Sequence, residues 1–230
     1  MQQELAELEA LRTQPSQPFM LILGGNKLPD KIPLINRFLQ AQLPHRVHTI
    51  MLGGALSHAF LKAMGHEIGV SDITNQAVDL AGSILGQAAK QQVSLMLPVD
   101  IMAITGPLGS KPKAYTVNQI PKNAQIVDIG PKTCTQFAQI IPTAQTIFTN
   151  GTMGLYEYPD YQQGTKSILK DITESTAHTV VAGGDAAAAT NLFGLEDQID
   201  FISTGGGATL SYLSAESPMQ ELPGLCVFFE

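Results

Sequence analysis

Two lysines four residues apart, Lys27 and Lys31, follow the glycine pair Gly24-Gly25. Side chains at i and i+4 share one face of a helix, so this spacing turns both ammonium groups toward the same cleft. Such mobile point charges can follow a phosphoryl group in transfer, and they act more strongly in a water-poor site than on the surface. A pair of solvated surface lysines is the other reading. Asp185 opens a helical stretch directly after Ala182-Gly183-Gly184. A carboxylate there is either a helix N-cap or a magnesium ligand, because a hard ion on nucleotide phosphates takes one or two carboxylates and keeps several waters. The chain contains neither Gly-x-Gly-x-x-Gly nor Gly-x-x-x-x-Gly-Lys-Ser/Thr, so the dinucleotide fingerprint and the P-loop do not apply.

The elements that position these residues are strands alternating with helices. Apolar runs predict strands at Phe19–Leu23, Val47–Leu52, Ser94–Pro98, Gln125–Asp128, Thr146–Phe148, His178–Val181 and Phe201–Ser203. Helical patterns fall at 31–41, 55–64, 74–91, 132–141, 163–176, 185–193 and 207–214. This alternation requires parallel pairing through right-handed crossovers. The fold class is therefore α/β: one doubly wound, Rossmann-like parallel sheet over residues 19–214, with helices on both faces in three α/β/α layers. Residues 104–119, with Pro107 and Pro112, read as an insertion or a small antiparallel excursion. Gly24-Gly25, Gly53-Gly54, Gly183-Gly184 and Gly205-Gly206-Gly207 each follow a predicted strand and precede a helix. In an open α/β sheet that carboxyl edge is where ligands lie, with helix N-termini offering unpaired N–H groups to an anion. Any single glycine pair is also explained by turn conformation or close packing; it is the four clusters on one edge that point to phosphate.

Residues 2–13, with Leu5, Leu8 and Leu11 at helical spacing, form a short amphipathic lead-in that Pro15 and Pro18 end. We read 1–17 as a linker helix whose leucine stripe is left without its usual cover, 18–216 as the α/β domain and 217–230 as a C-terminal tail.

Composition narrows the function classes. Lys and Arg number 13 against 20 Asp and Glu, a formal net charge of −7, which argues against a nucleic-acid partner. Charged residues are 14% and hydrophobic residues 44% of the chain, a composition that excludes overall disorder. No apolar run approaches the roughly 20 residues of a membrane span, and the acidic N-terminus does not read as a secretory signal. Cys134 and Cys226 make no metal or disulfide framework, consistent with a reducing cytoplasm. His45, His48, His58, His66 and His178 lack metal-ligand spacing and read as surface or packing residues, and Met153 as packing.

Seven ordered segments together resemble the C-terminal, nucleotide-binding domain of the phosphoglycerate kinases. They are Pro18-Phe-Met-Leu-Ile-Leu-Gly-Gly-Asn-Lys-Leu-Pro-Asp-Lys-Ile32, Leu52-Gly-Gly-Ala-Leu-Ser-His-Ala-Phe-Leu61, Leu97-Pro-Val-Asp100, Asp128-Ile-Gly-Pro-Lys-Thr133, Asn150-Gly-Thr-Met-Gly-Leu-Tyr-Glu157, Gly183-Gly-Asp-Ala-Ala-Ala188 and Ile202-Ser-Thr-Gly-Gly-Gly-Ala208. Glu221-Leu-Pro-Gly-Leu225 resembles that family's last segment.

The resemblance implies roles residue by residue. Lys27 meets the transferring phosphoryl group and Lys31 the nucleotide phosphates. Gly53 and Gly54 wall the adenine pocket, with Gly183 and Gly184 beside the nucleotide. Asn150 contacts the phosphate chain, Glu157 the ribose hydroxyls and Asp185 the Mg2+, while Gly205, Gly206 and Gly207 offer N–H groups to the migrating phosphoryl. The implied substrates are ATP or ADP together with 3-phosphoglycerate or 1,3-bisphosphoglycerate, in glycolysis. Departures from the family's pattern are Asn26, Leu28-Pro29, Ala55, Thr149, Thr152 and Ala186, the last removing a hydroxyl that could bond a phosphate. The family's N-terminal domain, which holds the phosphoglycerate, is not represented. The expectation is therefore weak adenine-nucleotide binding with little turnover alone, the missing half coming from a separate N-terminal domain or a homodimer. A non-catalytic adenine-nucleotide-binding module derived from that domain is the alternative. A nicotinamide-dependent dehydrogenase follows from fold analogy only, and the missing fingerprint argues against it.

Overall fold

A computed structural model of the chain describes residues 2–40, 47–71, 73–203 and 205–216. The tail 217–230, with Glu221–Leu225 and Cys226, lies outside the described residues, as do His45, Arg46 and the expected last residue of the second helix, 41.

The chain opens with α1 (Gln2–Thr13), β1 (Phe19–Leu23), α2 (Leu28–Leu39), β2 (Val47–Leu52), α3 (Gly54–Ala63), α4 (Asn75–Lys90) and β3 (Ser94–Met96). After an antiparallel excursion through β4 (Asp100–Ile104), β5 (Lys113–Thr116) and β6 (Gln125–Ile129), it continues as α5 (Pro131–Ile140), β7 (Thr146–Asn150), α6 (Gln163–Thr173), β8 (His178–Ala182), α7 (Gly184–Leu192), β9 (Phe201–Ser203) and α8 (Gly207–Ser214).

Six strands form a parallel sheet in the order β3-β2-β1-β7-β8-β9. The winding runs outward from β1 to β3, then restarts at β7 on the other side of β1 and runs outward to β9. The point of reversal, between β1 and β7, is where open α/β sheets bind ligands. β1 is buried on both faces: Phe19, Leu21 and Leu23 join the core that α1, α2, α3, α4 and α8 cover. Met20 and Ile22 join the opposite core under α5, α6 and α7. This alternation is the two-residue period of a strand, and it explains why the run Phe-Met-Leu-Ile-Leu contains no polar residue.

Register decides the shape of the carboxyl edge. Leu52, Leu23, Asn150, Ala182 and Ser203 pair in one continuous row across β2, β1, β7, β8 and β9. The turn residues after them, Gly53, Gly24, Gly151 and Gly183, therefore emerge at one level.

Two expectations are corrected. Residues 19–214 do not make a single sheet, because β4, β5 and β6 form a separate three-stranded antiparallel sheet, order β5-β4-β6. The strand expected at Gln125–Asp128 belongs to that sheet, and its Ile126 packs with Ile101 and Ala103 of β4 and with Leu61 and Ile68 in a separate core. The excursion is larger than the 104–119 span expected. Asp100 anchors it, its carboxylate accepting the N–H groups of Lys132 (3.0 Å) and Thr133 (2.8 Å) at the start of α5. The second correction concerns α1. Leu5, Leu8 and Leu11 are buried rather than left without cover. They belong to the same core as Val180, Leu210, Tyr212 and Leu213, and the Tyr212 hydroxyl donates to Glu9 at 2.7 Å. No described helix is long and apolar enough to cross a membrane.

Candidate functional site

Three turns of the carboxyl edge are knitted together by their own backbones. Gly24 N–H donates to Asn150 O (2.9 Å), Gly25 N–H to Thr152 O (2.8 Å), Gly53 N–H to Leu23 O (2.9 Å), Gly54 N–H to Met153 O (2.9 Å) and Leu56 N–H to Gly25 O (2.7 Å). Close approach explains the glycines. At Gly54, with φ of +57°, a Cβ would stand 2.6 Å from Thr152 O, and at Gly53 it would collide with the Met153 sulfur. The N–H groups of these two pairs are therefore consumed inside the protein and not offered to an anion. Met153 packs over Gly53, as its reading from sequence had it.

The free donors lie one and two strands further along. Gly183, the N-cap of α7, has φ of +94°, and its N–H goes to Ser203 O at 3.0 Å. Among the described residues, the N–H groups of Gly184, Asp185 and Ala186 in the first turn of α7 have no acceptor, and neither do those of Gly206 and Gly207 at the start of α8. Gly205 N–H reaches Ser203 Oγ at 3.3 Å, and Ser203 Oγ–H donates to Glu4 of α1 at 2.7 Å.

The two lysines part company. Lys27 is the exposed N-cap of α2, whereas Lys31 is only 6% exposed. The Lys31 ammonium stands 3.8 Å from where a Cβ on Gly25 would sit. Burial lowers its pKa, the carboxylates of Asp30 and Asp185 act the other way, and the neighbouring charge of Lys27 lowers it further. Asn150 is buried, and its Nδ2–H donates to Ala182 O at 2.8 Å, bracing β7 against β8. A Cβ on Gly183 would lie 2.7 Å from the same nitrogen.

A cavity of about 140 Å3 opens at the switch point. Gly54, Glu157 and Asp185 line it together with Gly25 and Thr152. Lys27, Lys31, Gly53, Asn150, Gly183, Gly184 and Gly205–Gly207 flank this cavity or lie further along the edge and do not line it. Its remaining wall was not foreseen: Ile101, Ile126, Val127 and Ile129 come from the small sheet, with Leu155 beside them and two titratable residues, His58 and Asp128. His58, read as a surface or packing residue, is buried and borders the cavity. Its position one helical turn after Gly54 is the signal that could have found it.

A sequence profile described as phosphoglycerate kinase matches residues 1–216. The chain belongs to the phosphoglycerate kinase family. It is 36% identical over 226 residues to a phosphoglycerate kinase of Pelotomaculum thermopropionicum, covering 98% of this chain and 55% of that protein. It is 39% identical over 225 residues to one of Clostridium beijerinckii, covering 97% and 55%. The structure of phosphoglycerate kinase from Coxiella burnetii superimposes with a TM-score of 0.88 at 33% identity, over 95% of this chain and 56% of that one. The chain spans about half the length of the curated relatives it matches.

The phosphoglycerate kinase family implies Mg2+ carried on a nucleotide. Among the described residues no group of three His, Cys, Asp or Glu side chains could hold a metal ion unaided. A phosphate-bridged magnesium needs less, one or two carboxylates with the phosphates and waters supplying the rest. Asp185 suits that role: it is exposed, it lines the cavity and it lies near enough to Lys31 to act on its charge.

Proposed function

We propose that this chain supplies the MgATP- and MgADP-binding half of a phosphoglycerate kinase. The observation that carries the reading is the cavity at the β1/β7 reversal, bordered by Asp185 and flanked by the buried ammonium of Lys31. Residues 18–216 act as the nucleotide domain and 1–17 as the linker helix. The reaction moves a phosphoryl group between an acyl phosphate and ADP. A β-phosphate oxygen of ADP bonds to phosphorus, and the bond from phosphorus to the carboxyl oxygen of 1,3-bisphosphoglycerate breaks, leaving the carboxylate of 3-phosphoglycerate. In such a loose transition state charge spreads over the equatorial oxygens, so fixed donors and cations supply most of the catalysis.

Lys31, desolvated, holds the nucleotide phosphates, and Lys27, mobile at the cap of α2, follows the phosphoryl group. The open N–H groups of α7 and of Gly206 and Gly207 are donors for phosphate oxygens. Glu157 meets the ribose hydroxyls, Gly53 and Gly54 back the adenine, and Asn150 acts by holding β7 and β8 in register beneath the phosphates. Magnesium, bound through Asp185, would neutralise phosphate charge. The phosphoglycerate is held by a second domain, in a longer chain, in a separate one or in a second copy. The reading puts the protein in the cytoplasm.

One observation favours a second reading, a nucleotide-binding module without turnover: among the described residues no Lys or Arg lines the cavity, so they form no cation cluster there for a second anion. Calorimetry with ADP, with and without Mg2+, tests the first step. Asp185→Ala should weaken MgADP binding tenfold or more, about 1.4 kcal/mol, and leave metal-free ADP binding nearly unchanged. Equal losses with and without metal would show that Asp185, inside the first turn of α7 and not its N-cap, acts only on the helix terminus. Adding a family N-terminal domain and assaying phosphoryl transfer separates the enzyme from the module.

A further inference from the structure

The cavity joins two environments. At one boundary are Gly25 and Asp185, beside Lys31, and at the other are the isoleucines of the small sheet. His58 stands in the second. It follows Gly54 by one turn of α3 and precedes Leu61 by one turn, and Leu61 packs with Ile101 and Ile126 of that sheet. Side chains three apart on a helix share a face, which directs His58 to the apolar side of the cavity. Its side chain is 6% exposed, and among the described residues no hydrogen bond involves its ring. Burial pushes its pKa down to about 4. The imidazole is therefore neutral near pH 7, with one nitrogen donating and the other accepting. A largely apolar pocket fixes its ligand by a few placed polar groups, and His58 lines this one. His58 has the capacity and the position of such a group.

We propose that His58 hydrogen-bonds the edge of the nucleobase and is a specificity-determining residue of this site; the inference rests on the nucleotide reading above. A purine edge presents an exocyclic group beside ring-nitrogen acceptors, and the neutral ring can meet either, as donor or acceptor. With the phosphates drawn to Lys31 and the amides of α7, the base is left to the apolar wall where His58 stands.

The test compares ADP with ribose 5-diphosphate, which lacks the base, on the unmodified chain and on His58→Phe and His58→Gln. The unmodified chain should bind ADP the more tightly. His58→Phe should lose about tenfold for ADP and less than twofold for ribose 5-diphosphate, while His58→Gln, which keeps a donor and an acceptor, should fall between. In unmodified protein labelled with 15N-histidine, the His58 nitrogens should shift when ADP binds, a readout that does not depend on either variant folding. Equal losses for both ligands, or unmoved His58 nitrogens in the ADP complex, would overturn the proposal. So would ADP binding no tighter than ribose 5-diphosphate, which leaves the phosphate site standing. Failure of the unmodified chain to bind either ligand would instead remove the nucleotide reading itself, and this proposal with it.

Discussion

Asp128 offers a quantitative test of how the cavity wall is built. Its side chain is 3% exposed; Oδ1 accepts the Ile129 N–H at 2.9 Å and Oδ2 the Gly164 N–H at 2.6 Å. Burial raises the carboxyl pKa from 3.8 to about 7, outweighing the two donors, which favour the charged form. The folded pKa lies above the unfolded one, so the contribution to stability is complete below pH 4 and is lost as the pH rises through about 7. The interval from 3.8 to about 7 corresponds to about 4 kcal/mol, at about 1.4 kcal/mol per pH unit. Asp128→Asn keeps the shape and cannot ionise, but its single oxygen can serve only one of the two N–H groups well. At pH 4 the variant should therefore be less stable by about 1–3 kcal/mol. Urea unfolding of both proteins between pH 4 and pH 8 isolates the group, since the other titrations cancel in the difference. The advantage of the unmodified chain should fall by up to about 4 kcal/mol and reverse before pH 8. A difference that stays flat, or grows with pH, would show that the N–H groups and not burial govern Asp128.

Three further outcomes are expected. Gly183→Ala forces a side chain into φ of +94° and toward Asn150, so thermal denaturation should show a loss of about 1–3 kcal/mol; an unchanged melting temperature would refute the strain. Leu8→Ala should cost about 2–5 kcal/mol because Leu8 is buried against α8 and the sheet, whereas a loss below about 0.5 kcal/mol, usual at the surface, would return α1 to the uncovered state that its sequence suggests. The purified 230-residue chain should bind MgADP yet show almost no phosphoglycerate kinase turnover. Without a held phosphoglycerate, an orientation advantage that can reach about 7–11 kcal/mol is forfeited; substantial turnover, free of host kinase, would demand a second basic site.

The central strands of the parallel sheet were legible because they are buried, β1 and β7 along their whole length and β8 after its first residue, with β1 carrying an uninterrupted apolar run, and because glycines mark the turns. What the sequence conceals is partnership. Gln125–Asp128 reads as one more buried strand, and nothing local distinguishes pairing with β4 from pairing in the main sheet. Asp100–Ile104 carries its strand signal beside prolines and small residues that suggest a loop. Leu5, Leu8 and Leu11 announce an apolar face but not what covers it, since α8 lies about 200 residues away in the chain. The site divides in the same way. Lys27, Lys31 and Asp185 stand out as charges beside glycine turns, and the sequence cannot say that Lys31 is buried and Lys27 exposed. The sequence did not give His58 and Asp128 a place at the cavity, because each enters it through tertiary packing, His58 from a helix flank and Asp128 from a strand of the small sheet.

The backbone bonds among the turns at Gly24, Gly53 and Thr152 give these loops the hydrogen-bonding density of the sheet they extend. Their amides should exchange with deuterated solvent at rates close to those of β1 and β7, far slower than ordinary connecting segments. On the proposed reading, a nucleotide reaching the cavity would meet one rim that is already rigid. The entropy of organising a loop is then largely absent from its binding, and calorimetry on this chain should show a smaller entropic penalty than sites that close mobile loops around their ligand.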